Sequence, residues 1–241
     1  MGKTTVVAGL ARVLTDRGQK VLAIDADPAS NLALALGFPQ DQRLKPISEM
    51  KELIEERTEA KSGSMGSFFK LNPRVDDLPD QYSLEKDGIR LMVMGTVQKG
   101  GGGCVCPENV MLRSLVAHLL LGRNEVVILD MEAGVEHLGR ATARAVNKLL
   151  VVVEPGQRSL EVAQKIRQLA GDIGLTNIGL VGNKIRNEAD RAFLLKRIPD
   201  LPFLGFISYD SRVVEADLSG TPPFAGNPEF LESMGTIVDR L

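Results

Sequence analysis

Four residues at the start of the chain, Gly2-Lys3-Thr4-Thr5, are of the types that hold a phosphate. They have the form of the second half of a phosphate-binding loop, G-x-x-x-x-G-K-[ST]. A glycine lets the backbone approach an anion, Lys3 brings a point charge to the β- and γ-oxygens, and Thr4 offers a hydroxyl to Mg2+. The free N–H groups of a helix starting here point at the same anion. Taken alone, the four residues are also an ordinary helix start. Weight comes from Ile24-Asp25-Ala26-Asp27-Pro28 and Leu129-Asp130-Met131-Glu132-Ala133-Gly134, two apolar runs that each end in aspartate. At the C-terminal ends of strands these carboxylates lie on the edge where open α/β sheets hold ligands. One carboxylate there can hold metal-bound water, and another can orient a water towards a γ-phosphate. Each aspartate singly is equally a helix cap or turn former; their joint appearance with Lys3 and Thr4 points to a Mg-nucleotide site. Gly182-Asn183-Lys184 ends a third apolar run. The Asn183 amide carries donor and acceptor, so it suits an adenine edge as readily as a turn.

Gly100-Gly101-Gly102-Gly103-Cys104-Val105-Cys106-Pro107-Glu108 is the most distinctive passage. Pro107-Glu108 has the look of a first helical turn, and thiols at a helix N-terminus have a lowered pKa and bind soft metal more readily. A redox pair or a buried thiol couple is the other reading. C-x-C supplies two ligands, whereas a closed Zn2+ thiolate site takes four. His118 and His137 are not at ligand spacing to it and read as structural. Two-fold symmetry completes the set, with Cys104 and Cys106 from each of two chains around one ion.

The elements that must position these groups are legible as alternating apolar runs and amphipathic stretches. Strands are expected at Val21 to Ile24, Leu91 to Met94, Val126 to Leu129, Leu149 to Val153, Ile178 to Val181 and Phe203 to Ile207. Most are continuous apolar runs, as in strands covered on both faces. Val6, Leu10, Val13 and Leu14 make a helical stripe closed by Gly18, which suits a left-handed position after the helix. Leu160, Ala163, Ile166 and Leu169 make another, with Ser159 as its expected N-cap. This alternation predicts an α/β fold with a doubly wound, mainly parallel sheet. We expect one domain over residues 1–241, with an insertion at about 40–87 that carries a charged helix (Ser48 to Lys61) and a loop-rich tract, read mainly as a solvated flap.

The composition narrows the partners. The chain has 241 residues, with 29 basic and 31 acidic side chains, a net charge of −2 and no Trp. There is no basic excess to neutralise a nucleic-acid backbone and few platforms for stacked bases. Two cysteines this close make no disulfide framework. No apolar run nears the roughly 20 residues of a membrane span, and no signal peptide is visible, so a cytoplasmic protein is expected.

Together, GKTT, IDADP, LDMEAG, GNK and GGGGCVCPE resemble the deviant-P-loop ATPases that include MinD, ParA and the nitrogenase iron protein. The C-x-C followed by Pro-Glu, with LDMEAGVEHLGR, is most similar to the CooC-type accessory ATPases. These assist nickel insertion into carbon monoxide dehydrogenase or its acetyl-CoA synthase partner. The resemblance spans essentially the whole chain and implies an ATP-hydrolysing homodimer whose interface cysteines, Cys104 and Cys106, hold Ni2+ or Zn2+. It implies that Gly2, Lys3, Thr4 and Thr5 cradle the phosphates of ATP, with Lys3 binding phosphate and Thr4 ligating Mg2+. Asp27 becomes the water-orienting carboxylate, Asp25 and Asp130 support the Mg2+ shell, and Asn183 recognises adenine. The family pattern is K-G-G-x-G-K-T-[TS] after a strand, and Met1 stands here at x. The expected sheet therefore lacks its first, central strand, and the upstream codons are expected to encode a strand ending in Lys-Gly-Gly.

Two other functions fit the same motifs. A MinD/ParA-type positioning ATPase polymerises on membrane or DNA. Its membrane form needs a basic amphipathic tail. The tail here has an apolar stripe (Phe230, Leu231, Met234, Ile237, Val238, Leu241), but its charges are Glu229, Glu232, Asp239 and a lone Arg240, so it reads as a core-docked helix. A non-hydrolysing metal chaperone is the remaining alternative.

Overall fold

The computed structural model describes residues 1–39, 41, 44–60, 69–95, 106–121, 125–132 and 146–241. The chain enters directly into helix α1 (Lys3–Asp16), whose Val6, Val7, Leu10, Val13 and Leu14 are buried together with Ala8, Gly9 and Ala11. It stops at Gly18, where φ is +80°. The Gly18 N–H reaches the Thr15 carbonyl at 2.9 Å and the Gln19 N–H reaches that of Leu14 at 3.0 Å. This is the left-handed closure expected of a glycine just past a helix end.

Seven strands follow among the described residues, in two sheets. In the first, β1 (Val21–Ala26) lies between β3 (Ile89–Val93) and β4 (Val126–Met131), parallel to both, and β2 (Leu84–Lys86) closes the edge antiparallel to β3. In the second, β5 (Leu149–Val153), β6 (Ile178–Ile185) and β7 (Phe203–Ser208) run parallel in that order. The remaining helices are α2 (Leu32–Ala35), α3 (Lys51–Thr58), α4 (Leu78–Gln81), α5 (Pro107–Leu121), α6 (Gln157–Asp172), α7 (Glu188–Arg197), α8 (Ser211–Ser219) and α9 (Pro228–Val238), with a 3-10 turn at Ile47–Glu49.

The winding shows in how single strands divide their side chains. Leu22, Ile24 and Ala26 of β1 join a core with Met111 and Leu115 of α5, whereas Val21 and Ala23 pack with Ala8, Ala11 and Leu14 of α1. The two-residue period of a strand thus serves both faces, and both are apolar because helices cover both. Helix α1 lies across the junction of the two sheets. Its Val7, Ala8, Ala11 and Leu14 pack on the first, and its Val6, Leu10 and Val13 pack with Val152 and Val181 of the second. The fold is the expected doubly wound, mainly parallel α/β sheet.

β4 ends the first sheet and β5 the second, and the two line one largely apolar cavity of about 460 Å3 together with Met1, Lys3 and the Val6 face of α1.

Three local expectations change. Ser159 is not the N-cap of α6; Gly156 holds that position, and the Ser159 hydroxyl instead accepts the Glu154 N–H at 2.9 Å. The tract at 40–87 contributes β2 to the sheet, a strand too short to announce itself. Its α3 turns Leu53 and Ile54 into the main core rather than standing off as a flap.

Helix α9 meets the expectation of a core-docked tail. The Asn227 side chain caps it by accepting the Phe230 N–H at 3.2 Å, Pro228 opens it, and Phe230, Met234 and Ile237 are buried against α1 and β7. Backbone approach is close: a Cβ on Gly205 of β7 would lie 2.6 Å from Ile237 Cγ1. A β-branched neighbour yields little. Gly205→Ala should therefore destabilise the fold by about 1–3 kcal/mol, seen as a lower thermal midpoint, and an unchanged midpoint would show that α9 is not seated this tightly.

Candidate functional site

The start of α1 and the C-terminal ends of β1 and β4 converge. Gly2 caps α1 with φ +78° and ψ 32°, and its carbonyl accepts the Val6 N–H at 3.1 Å. The left-handed geometry is cheap only for glycine. The first N–H groups of a helix have no partner within it, so α1 opens with donors for an anion, at the positive end of its dipole. No acidic side chain stands in its first turn to take that place. Lys3, Thr4 and Thr5 are half-buried there, and Lys3 borders the inter-sheet cavity with Asp130 and Glu132.

Asp25 and Asp130 are direct neighbours across the β1–β4 ladder. Both are buried, at 0% and 2% exposure, yet their surroundings differ. The Asp25 carboxylate is committed to its own chain: Oδ2 accepts from the Ser30 hydroxyl at 2.7 Å and the Leu32 N–H at 3.0 Å, and Oδ1 accepts from the Asp27 N–H at 3.2 Å. It therefore fixes the loop from Asp27 to Asn31 and the start of α2. Among the described residues neither oxygen of Asp130 has a hydrogen-bond partner of ordinary geometry. Burial is the main reason its pKa is pushed up to about 6, with the charges of Asp25 and Asp27 adding; the Thr4 hydroxyl and Lys3 act in the opposite direction. The hydroxyl of Thr4 stands close enough to soften the shift without making a bond of ordinary geometry.

A buried carboxylate with both oxygens open is costly unless something cationic meets it. Asp130 beside Thr4, at the mouth of a helix N-terminus, is a donor set of hard oxygens suited to Mg2+ shared with a phosphate. Asp27 is half-buried, and its Oδ1 accepts a local bond from the Ala29 N–H at 2.9 Å.

The structure thus brings Gly2, Lys3, Thr4, Thr5, Asp25, Asp27 and Asp130 to one place. It also brings Asn183 there, but against the loop: its Nδ2 donates to the Met1 carbonyl at 3.0 Å. Reasoning from motifs missed Ser30, five residues after Asp25, and Ser159, whose hydroxyl lies 3.6 Å from the Met1 sulfur. Only the D-x-D-P-x-S run hinted at the first; nothing in sequence hinted at the second. Cys106 is half-buried immediately ahead of α5, where its carbonyl accepts the Val110 N–H at 3.1 Å. Cys104, the glycines before it and His137 lie outside the described residues. Among the described residues no group of three or more His, Cys, Asp or Glu side chains is placed to hold a metal ion.

The profile of the CobQ/CobB/MinD/ParA nucleotide binding domain matches residues 1–224. The chain belongs to this family. Within it, the chain is 48% identical over 222 residues to the carbon monoxide dehydrogenase accessory protein CooC of Rhodospirillum rubrum, covering 91% of this chain and 84% of that protein. It is 46% identical over 225 residues to an uncharacterized ATP-binding protein of Methanocaldococcus jannaschii, covering 92% and 86%. Among solved structures it resembles the septum site-determining protein MinD from Pyrococcus horikoshii complexed with Mg-ADP, with TM-score 0.65 at 21% identity over 99% of this chain and 90% of that one. At that identity the likeness shows the fold. As a family member the protein is an ATP-binding and ATP-hydrolysing P-loop protein.

The open carboxylate yields a prediction. With a folded pKa near 6 against an ordinary 3.8, the charge of Asp130 is a cost of folding. That cost is absent below about pH 4, grows as pH rises and is complete above pH 6; it amounts to roughly 3 kcal/mol. Asp130→Asn should therefore raise the thermal midpoint of nucleotide-free protein at pH 7.5, with the gap closing towards pH 4. It should also abolish the stabilisation that Mg2+ with ATP gives the parent chain. A variant melting lower than its parent at neutral pH would show that Asp130 has a partner.

Proposed function

We propose that the protein is an ATP-driven molecular switch that works as a homodimer, and that the observation carrying this reading is the Asp130 carboxylate, without a partner among the described residues, at the opening of α1. In it, Lys3 places its charge against the β- and γ-phosphates, and the N–H groups of Gly2 to Thr5 take the remaining oxygens. Asp130 and the Thr4 hydroxyl would hold Mg2+, which supplies neutralisation of the phosphate charge. Asp25 keeps the Asp27 loop at its distance from β4, and Asp27 orients the water that attacks the γ-phosphorus. Such a switch needs ATP to bind its two states with different affinity.

For the output of the switch, two readings remain. Delivery of nickel to carbon monoxide dehydrogenase or acetyl-CoA synthase draws support from the 48% identity to CooC and from the Cys104-Val105-Cys106 passage. In this reading Cys104 and Cys106 of two chains bind one Ni2+ or Zn2+ as cargo, and hydrolysis loosens the grip. A MinD/ParA-type positioning ATPase draws on the family profile and on the MinD fold, and no four-thiolate site need exist for it. It is the reading with more of the comparisons on its side. A chaperone that binds metal without hydrolysis is the limiting form of the first.

Asp27→Ala should leave ATP bound and slow turnover by about 10²-fold or more, measured as phosphate release; normal turnover would remove Asp27 from its role. For the output, one Ni2+ or Zn2+ per dimer, lost in Cys104→Ser with Cys106→Ser while ATP binding stays, supports metal delivery. Metal uptake unchanged by that pair, with ATP-dependent assembly on DNA or anionic vesicles, supports positioning. No turnover with or without metal supports the chaperone.

A further inference from the structure

Asn183 is 6% exposed and stands where the β6–β7 register shifts, between Gly182 and Ile185. Both ends of its amide are engaged. Nδ2 donates to the Met1 carbonyl at 3.0 Å, and Oδ1 accepts the Lys184 N–H at 2.9 Å. A backbone N–H only donates and a carbonyl only accepts, so the amide can face only one way. Lys184, the next residue, has φ +56°, the left-handed region. Its ammonium pairs with Glu154, just past β5, at 3.2 Å. On the other side, a Cβ on Gly2 would lie 2.5 Å from Asn183 Nδ2. Gly2 is therefore needed both for its own φ and to let the amide in.

We infer that Asn183 is a positioning residue for the phosphate loop. The Met1 carbonyl and the Gly2 N–H belong to one planar trans peptide and point to opposite sides. Holding the carbonyl towards β6 turns the N–H away from β6 and fixes the rotation of the peptide that opens α1. The loop is thus set by the second sheet, while Asp25 and Asp130 come from the first. This inference rests on the triphosphate reading, and differs from the adenine-reading role in what Asn183 must recognise: a piece of its own chain, not a base.

The test compares ATP, inosine triphosphate and inorganic tripolyphosphate, each with Mg2+, by calorimetric titration of the full chain and of Asn183→Ala. A positioning role predicts that all three weaken by a similar factor, about tenfold. Loss confined to ATP overturns the inference in favour of base recognition, and unchanged affinity for all three overturns it outright. If Asn183→Ala does not fold, Asn183→Leu removes the donor to Met1 at similar volume without adding charge, and is read the same way. If the parent chain binds none of the three, the triphosphate reading falls. The clamp is then judged by amide hydrogen exchange at Gly2 and Lys3: faster exchange in the variant sustains it, and unchanged exchange overturns it.

Discussion

The seating of α1 across two sheets is the constraint from which the site follows. One helix face has to satisfy β1 with Ala8, Ala11 and Leu14 and the second sheet with Val6, Leu10 and Val13. That double commitment leaves no freedom to rotate or slide, because any shift trades one buried set against the other. Gly2, Lys3 and Thr4 therefore arrive beside the ends of β1, β4, β5 and β6 by packing alone. The polar contacts around them refine a position that apolar burial has already chosen.

Within that frame, two neighbouring aspartates take different roles. Asp25 receives three hydrogen bonds from its own loop. Those bonds give both of its oxygens partners inside the protein. Asp130, paired directly with it across the ladder, has none among the described residues and carries the penalty of burial instead. The asymmetry separates a group that shapes the site from one that waits for a cation.

Much of this was legible in the residues themselves. Continuous runs such as Leu149 to Val153 can hide only between two helical layers, so they marked the sheet and its class. Phe230, Met234 and Ile237 marked α9 by spacing. What escaped were features whose cause lies elsewhere in space. β2 has three residues, and only pairing with β3 makes it a strand. Ser159 has the right chemistry for a cap, but the backbone at Glu154 competes for its hydroxyl and wins. The grip of Asn183 on Met1 joins residues 182 positions apart. The difference between Asp25 and Asp130 depends on which loop folds back to donate, a tertiary fact that two similar strand ends do not disclose.

That short antiparallel β2 has an effect on how copies of the molecule can meet. It puts Glu85 and Lys86 along the outer rim of the first sheet, and its brevity leaves little ladder for an incoming backbone. Charged, abbreviated borders of this kind discourage the edge-to-edge stacking that leads to aggregates. Crowded copies of the chain are thereby steered from fusing through that rim, and any specific assembly is left to surfaces that side chains, not backbone, define.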